Sequence, residues 1–337
     1  MELLDRIDTT SSMPVYMQVA NAIVTDIESG TLRRDRQLPS INELSESYYL
    51  SRDTVEKAYQ VLRKRGVIVS VKCKGCYVSE SFTPGKLRVL LLFNKLSTYK
   101  KNIYYAILDS FGEDAETDLQ IHHLDGKICE SLLQESLGKY HYYAIMPHFD
   151  KNMEQARQAI SKIPHEQLLF LDKNFEGYEG KCAAVFQDFE RDIRHALHLG
   201  KDLLGKYSRM VMVYPDDVPY PLEIVKGFRH FCREISFEHK VVGNGSREEL
   251  AGTVFVTLNE LDLVDIIERS RAEGLVAGKD FGIISYNDTP LMEVLENGIT
   301  VVSTDHEKMG QTAAYMMKNK LKDSIKNPFT LIRRNSL

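Results

Sequence analysis

No stretch of this sequence approaches the roughly 20 consecutive apolar residues that a membrane-spanning helix needs. The N-terminus lacks the basic-then-apolar order of a secretion signal, because Leu3 and Leu4 are flanked by Glu2 and Asp5. A cytoplasmic protein that does not enter the membrane is therefore expected. Cysteine is sparse. The five residues Cys73, Cys76, Cys129, Cys182 and Cys232 are odd in number and scattered, which argues against a disulfide framework. Catalytic signatures are missing too. There is no Gly-x-Ser-x-Gly elbow, no His-Glu-x-x-His and no phosphate loop ending in Gly-Lys-Ser/Thr, so no enzyme class is indicated and no metal or cofactor is expected. His122-His123 reads as part of a strand, which would point the two rings to opposite faces.

Positive charge is also short overall, with a net charge of −5, but its distribution is uneven. Between Thr31 and Val78 ten basic residues face five acidic ones, so this segment is basic on an otherwise acidic chain. A basic module on an acidic body suits a nucleic-acid reader with a separate partner domain. A solvated charge run is the alternative. The remaining composition is that of a folded protein: 43% hydrophobic and 27% charged residues over 337 positions, enough for two or three domains.

The first eighty residues carry the sharpest local signals. Val15, Val19, Ile23 and Ile27 recur at helical spacing, with Gly30 placed to stop the helix. Leu38-Pro39 breaks the chain, and Ser40-Ile41-Asn42-Glu43 reads as a capping box that opens a short helix to about Tyr48. Only Tyr49-Leu50 separates it from a third helix capped by Ser51, with Val55, Ala58, Tyr59 and Leu62 on its buried face. Val67–Val71 and Cys76–Val78 flank Lys72-Cys73-Lys74-Gly75 as a hairpin. The pattern is a winged helix-turn-helix, whose third helix presents its N-terminal end to the major groove. Arg52 is the candidate for a bidentate contact with guanine, since its planar fork matches both acceptors. Ser51, Thr54 and Lys57 suit phosphate or base-edge contacts, and Lys72 and Lys74 flank Gly75 in a wing that approaches phosphate.

These residues resemble the DNA-binding domain of the GntR family over about residues 12–79. The likeness rests on Pro14-Val15-Tyr16, Leu38-Pro39-Ser40, Ser51-Arg52-Asp53-Thr54-Val55, Lys57-Ala58-Tyr59 and Lys74-Gly75 with Tyr77-Val78. It implies contact with double-stranded operator DNA through Arg52, Ser51, Thr54 and the wing around Gly75; Ser40, Asn42, Lys57, Lys72 and Lys74 complete the candidate DNA-binding set. Two positions depart from the family: Asn42 stands where many members carry arginine, and so does Glu56. Cys73 and Cys76 read as incidental wing residues, with a redox-sensitive wing as the alternative; no second Cys/His pair stands at zinc spacing.

Ser79–Lys86 is small, polar and interrupted by Pro-Gly, so the expected division is a reader at 1–80, a linker at 81–86 and a larger domain at 87–337. From Leu87 onward apolar runs alternate with helical stretches. Strands are expected at Leu87–Phe93, Leu119–Leu124, Tyr142–Met146 and Leu168–Leu171, with helices at Asn102–Glu116, Ile128–Leu137 and Met153–Ile163 between them. A second series is expected to open with Ala183–Phe186 and to continue through helix Phe189–Leu204, Arg209–Val213, helix Leu222–Glu234, Thr253–Thr257, helix Leu261–Glu273 and Phe281–Ser285. Apolar strands alternating with helices imply an α/β fold of two lobes, each a doubly wound parallel sheet covered on both faces. Ligands of such folds lie beyond the C-terminal ends of the strands, here between the lobes.

This part resembles the periplasmic-binding-protein-like effector domain of the LacI/GalR family. Carriers of the likeness include Leu169-Phe170-Leu171-Asp172, Lys226-Gly227-Phe228, Thr257-Leu258-Asn259-Glu260 and Ser285-Tyr286-Asn287-Asp288. The combination resembles the arabinose-repressor subgroup, which implies a sugar or sugar-derived effector. A homodimer is expected because one winged helix reads only a half-site, and a repressor of carbohydrate-metabolism genes is the expected role. An activator answering a non-sugar molecule, or a sugar-binding protein with no DNA role, is the alternative. Strand ends supply the candidate effector ligands Asn94, Asp172, Asp188, Tyr214, Glu260, Tyr286 and Asn287. Ile224 replaces an arginine that often grips the ligand in that family, which argues against an anionic effector. Asp288 and Asp305 are expected to be structural.

Overall fold

The structure, a computed structural model, describes residue 7 and residues 13–28, 30–33, 35–72, 74–80, 86–175, 177–178, 180–216 and 220–337. Cys73 and all of the expected linker except Lys86 lie outside the described residues.

The N-terminal unit holds α1 (Val15–Glu28), α2 (Ile41–Tyr48), α3 (Arg52–Lys64) and the antiparallel pair β1 (Ile68–Val71) and β2 (Gly75–Val78). Its core joins Val19, Ile23 and Ile27 of α1 to Leu44, Val55, Ala58, Tyr59 and Leu62, all fully or almost fully buried. Leu44 apart, those are positions that the helical spacing marks as apolar; Val15, also marked, is only partly buried.

The first lobe runs β3 (Leu87–Phe93), α4 (Thr98–Phe111), β4 (Ala115–Ile121), α5 (Gly126–Ser136), β5 (Tyr142–Ile145), α6 (Met153–Ile160), β6 (Leu168–Asp172) and β7 (Ala183–Phe186). The second runs α7 (Phe189–Leu199), β8 (Arg209–Val213), α8 (Leu222–Glu234), β9 (Glu238–Val242), β10 (Thr253–Thr257), α9 (Glu260–Glu273), β11 (Gly282–Tyr286), α10 (Pro290–Val294) and β12 (Thr300–Thr304). Then α11 (His306–Lys318) returns to pack on α4 in the first lobe. The short β13 (Ser324–Lys326) joins the first sheet and β14 (Phe329–Ile332) the second. The sheet orders are β13-β7-β6-β5-β3-β4, wholly parallel, and β14-β12-β11-β10-β8-β9, parallel except for β14.

Burial explains the continuous apolar runs. In β3, Val89, Leu91 and Phe93 face one core of the first lobe while Leu90 and Leu92 face the other. Both faces are covered, so alternation disappears.

Ala183–Phe186 does not open the second series; it pairs with β6 and completes the first sheet. The strand expected at Leu119–Leu124 is Ala115–Ile121, an edge strand whose alternating exposure hides it among polar residues. His122-His123 therefore lies outside the strand. His123 and Leu124 adopt positive φ, and buried His122 places Nε2 3.0 Å from the Met146 carbonyl. The helix expected at Asn102–Glu116 starts at Thr98 and ends at Phe111, and the one expected to reach Leu204 ends at Leu199 before Gly200. Strand β9 has no counterpart in the sequence reading, for it is polar and lies at an edge.

Three segments cross between the lobes: after β7, between β12 and α11, and between β13 and β14. Asn327 stitches them together. Its backbone N–H donates to the Phe186 carbonyl at 2.8 Å, and its side-chain amide donates to Thr304 Oγ1 at 2.8 Å and the Asp305 carbonyl at 2.7 Å.

Candidate DNA interface and effector cleft

The reader's geometry is set by its caps. Ser40 Oγ accepts from the Glu43 N–H at 3.2 Å while Glu43 Oε2 accepts from the Ser40 N–H at 2.7 Å, the reciprocal box that starts α2. Tyr49, in the left-handed conformation, turns the chain, and Ser51 Oγ then accepts from the Thr54 N–H at 3.1 Å to open α3. The hydroxyl of Tyr59 donates to the Pro39 carbonyl at 2.5 Å and ties α3 to the entry of α2. Asn42, Ser51, Arg52 and Lys57 are exposed, and Thr54 is half-buried beside its cap. The wing is held by Gln37, whose amide donates to the Lys74 carbonyl at 2.7 Å. Gly75 has φ of 104°, and a Cβ there would lie 3.0 Å from the same amide, so glycine lets the turn close. Lys72, Lys74 and Gly75 are exposed at the tip.

In the first lobe, Asn94, His148, Asp172 and Gln187 follow or end four parallel strands and meet Lys100 from α4. Asp172 is the hub. His148 Nε2 lies 2.9 Å from its Oδ2, Lys100 Nζ lies 3.5 Å from the same oxygen, and the Gln187 amide donates to Oδ1. Lys100 also donates to Asn94. Burial alone would raise the Asp172 carboxyl, but Lys100, His148 and Gln187 hold it well below the usual carboxylate range. Burial pulls His148 below the ordinary histidine range despite Asp172, so the ring is neutral and donates at neutral pH. Burial likewise lowers Lys100 against the pull of Asp172.

The second lobe answers with Tyr220, Ile224, Tyr286 and Asn287, enclosing a cavity of about 50 Å³ between the lobes. A neighbouring opening of about 420 Å³ shares Lys95, Tyr99, Tyr220, Tyr286 and Asn287 with it and includes Glu260. Burial drives His306, on the cavity wall, down to about 4. Two buried polar atoms of the wall, the Tyr286 hydroxyl and Gln187 Oε1, have no hydrogen-bond partner among the described residues.

Of the effector candidates, Asn94, Asp172, Tyr286 and Asn287 come together at this cavity, and Glu260 lies in the adjoining opening. Asp188 and Tyr214 line neither. Asp188 Oδ1 caps α7 by accepting from the Arg191 N–H at 3.2 Å, and the Tyr214 hydroxyl donates to the Tyr220 carbonyl at 2.5 Å. Asp288 and Asp305 serve structure as expected: Arg334 forks onto Asp288 with both contacts at 2.9 Å, and Asp305 caps α11. Sequence reasoning missed Lys100, His148, Gln187, Tyr99, Tyr220 and His306.

A winged helix-turn-helix joined to two parallel-sheet lobes with a cleft between them is the architecture of a DNA-binding regulator carrying a periplasmic-binding-protein-like domain. Residues 15–78 match the model of bacterial regulatory proteins of the gntR family, and residues 204–336 match the periplasmic binding protein-like domain. The chain combines a gntR-family helix-turn-helix domain with that second domain. It is 20% identical to the arabinose metabolism transcriptional repressor of Geobacillus stearothermophilus, covering 96% of this chain and 98% of that one. It is 29% identical to the HTH-type transcriptional repressor YtrA of Bacillus subtilis (strain 168), over 31% of this chain and 77% of the other. Among solved structures, the trehalose repressor from Escherichia coli superposes with a TM-score of 0.60 at 15% identity, covering 74% of this chain and all of that one, a likeness of fold. Among the described residues no helix is long and apolar enough to cross a membrane.

Proposed function

We propose that this chain is a transcriptional repressor whose hold on operator DNA is governed by a sugar or sugar-derived effector bound between the lobes. The division that goes with this reading is a reader at 1–80, a linker at 81–86 and an effector domain at 87–337. The observation that carries the effector class is the pair of unpartnered polar atoms on the cavity wall, Gln187 Oε1 and the Tyr286 hydroxyl. A buried polar atom left unsatisfied costs about 1–3 kcal/mol, and a ligand rich in hydroxyl groups removes that cost. Asn94, Asp172 and Asn287 add the amides and carboxylate that pair with vicinal hydroxyls, and Tyr99 and Tyr220 add aromatic surface to the lining.

The cavity of about 50 Å³ adjoins the opening of about 420 Å³, and both are lined from the two lobes, so a ligand seated there touches both. A ligand that selects one lobe arrangement thereby biases whatever the lobes position. One winged helix reads a half-site, so a homodimer on a palindromic operator completes the reading. Arg52 reads guanine; Ser40, Asn42, Ser51, Thr54, Lys57 and the wing at Lys72, Lys74 and Gly75 set the register on the backbone. The name of the arabinose metabolism transcriptional repressor, to which the chain is similar over almost its whole length, supports this reading. Selecting duplexes from a random-sequence library with the full chain tests it. Enrichment of a palindromic sequence, bound in a salt-sensitive manner, is the expected result; no sequence-selective binding would overturn it.

A further inference from the structure

A second concave site lies outside the cleft, where the reader meets the first lobe. A crevice of about 350 Å³ has the outward face of α3 as one wall and the α5–β5 turn with the end of α6 as the other. Lys57 and Lys64 project from the α3 side, Lys139 and Lys162 from the lobe side, and Gln60 and Gln134 stand among them. Among the described residues no carboxylate lines the crevice, and none of the four lysines has an ion-pair partner. Four ammonium groups around one concavity repel one another and focus a positive potential, an arrangement that an entering anion relieves.

The crevice is held in shape by residues other than these lysines. Arg65, at the end of α3, donates to the Gly138 carbonyl and, at 2.9 Å, to Asn21 Oδ1 of α1. Arg88 of β3 donates to the Arg65 carbonyl at 3.2 Å. Gly138, with φ of 79°, allows the close approach: a Cβ there would stand 2.6 Å from the Met17 side chain of α1. The lobe's lysines are thus set beside the recognition helix by a packed contact.

We propose that the first lobe takes part in gripping DNA: the crevice receives a sugar–phosphate strand of the duplex, with Lys139 and Lys162 adding to the phosphate contacts of Lys57 and Lys64. This rests on the reader function proposed above. Duplex DNA is favoured over a small polyanion because one wall of the crevice is α3, whose first turn carries the base-reading Arg52. Backbone neutralisation releases counterions, so each phosphate contact steepens the salt dependence of binding by about 0.9 in log–log slope.

The test uses the full chain and a fluorescein-labelled duplex recovered by selection, with affinity measured by anisotropy over a range of NaCl concentrations. The double variant Lys139→Ala/Lys162→Ala is expected to show a slope shallower by about 1–2 and equal losses on selected and scrambled duplexes, with its melting temperature unchanged. An unchanged slope, while the wild type still discriminates the selected duplex, overturns the proposal and leaves the reader standing. Failure of the wild type to discriminate overturns the functional reading and this inference with it. Tripolyphosphate raising the melting temperature of the wild type but not of the double variant, with equal DNA slopes, makes the crevice a small-polyanion site instead.

Discussion

The side-chain amide of Asn327 donates to Thr304 Oγ1 at 2.8 Å, joining two of the three strands of chain that pass between the lobes. The same residue bonds to Phe186 in the other crossing, so one buried asparagine bridges the entire hinge. Asn327→Ala removes both side-chain bonds and strands the Thr304 and Asp305 acceptors. A loss of about 1–3 kcal/mol in stability by urea denaturation is expected, together with a smaller effect of effector on DNA affinity. Unchanged stability would show that the hinge is held by other contacts.

The Lys100–Asp172 pair separates folding from ligand binding. Asp172→Asn leaves the buried Lys100 ammonium without its counter-charge and should lower stability by about 3–5 kcal/mol. Lys100→Met added to Asp172→Asn removes that isolated charge and should recover much of the loss. Effector binding, read by thermal shift against saccharides, should stay impaired in both. Recovery of binding along with stability would confine Asp172 to a structural role.

For the reader, Arg52→Ala should cost about 1–3 kcal/mol of operator affinity, concentrated at one base position per half-site. Arg52→Lys should not rescue it, because an ammonium cannot match two acceptors in one plane. Ser51→Ala is the less informative change: its hydroxyl caps α3 at 3.1 Å, so it should also lower reader stability by about 1 kcal/mol. Binding profiles across a set of single-base operator variants distinguish the two.

Acid sensitivity follows from buried His122 and His306 and half-buried His141. Burial pulls His122, His141 and His306 down to about 4 from an ordinary value of 6.5. Between those values the unfolded chain binds protons that the folded chain refuses, so stability falls as pH drops through that window. Asp172 adds to the fall at still lower pH, since its depressed carboxyl loses its stabilising effect only below the ordinary carboxylate range. Melting temperatures should therefore decline from about pH 6.5 towards pH 4, and His306→Asn should flatten the decline. An equally steep decline in the variant would count against His306.

The reader was legible because its signals are local: the Ser40–Glu43 box, the Ser51 cap and the Val55-Ala58-Tyr59-Leu62 face each span a few residues. The lobes were legible where strands are buried on both sides, as in β3 and β10, and illegible at the polar edges, as in β4 and β9. The membership of β7 depends on pairing with β6, which no pattern within Ala183–Phe186 reveals. Strand-end reasoning found Asp172 and Asn287 but could not tell them from Asp188, whose carboxylate is taken up by the first turn of α7. Lys100 did leave a trace: it stands at helical spacing with Ile103 and Ile107, a lysine on the buried stripe of α4. His148 and Gln187 follow strand ends but acquire meaning only through Asp172, which is remote in sequence.

The coupling between cleft and reader is open to one direct measurement: the affinity of the selected duplex for the full chain with and without a saturating monosaccharide, chosen as the best stabiliser in a thermal-shift panel. The account predicts that the sugar weakens DNA binding, that DNA weakens sugar binding by the same factor, and that Asp172→Asn abolishes both effects. A sugar that binds tightly in the cleft and leaves the duplex affinity unchanged would contradict it.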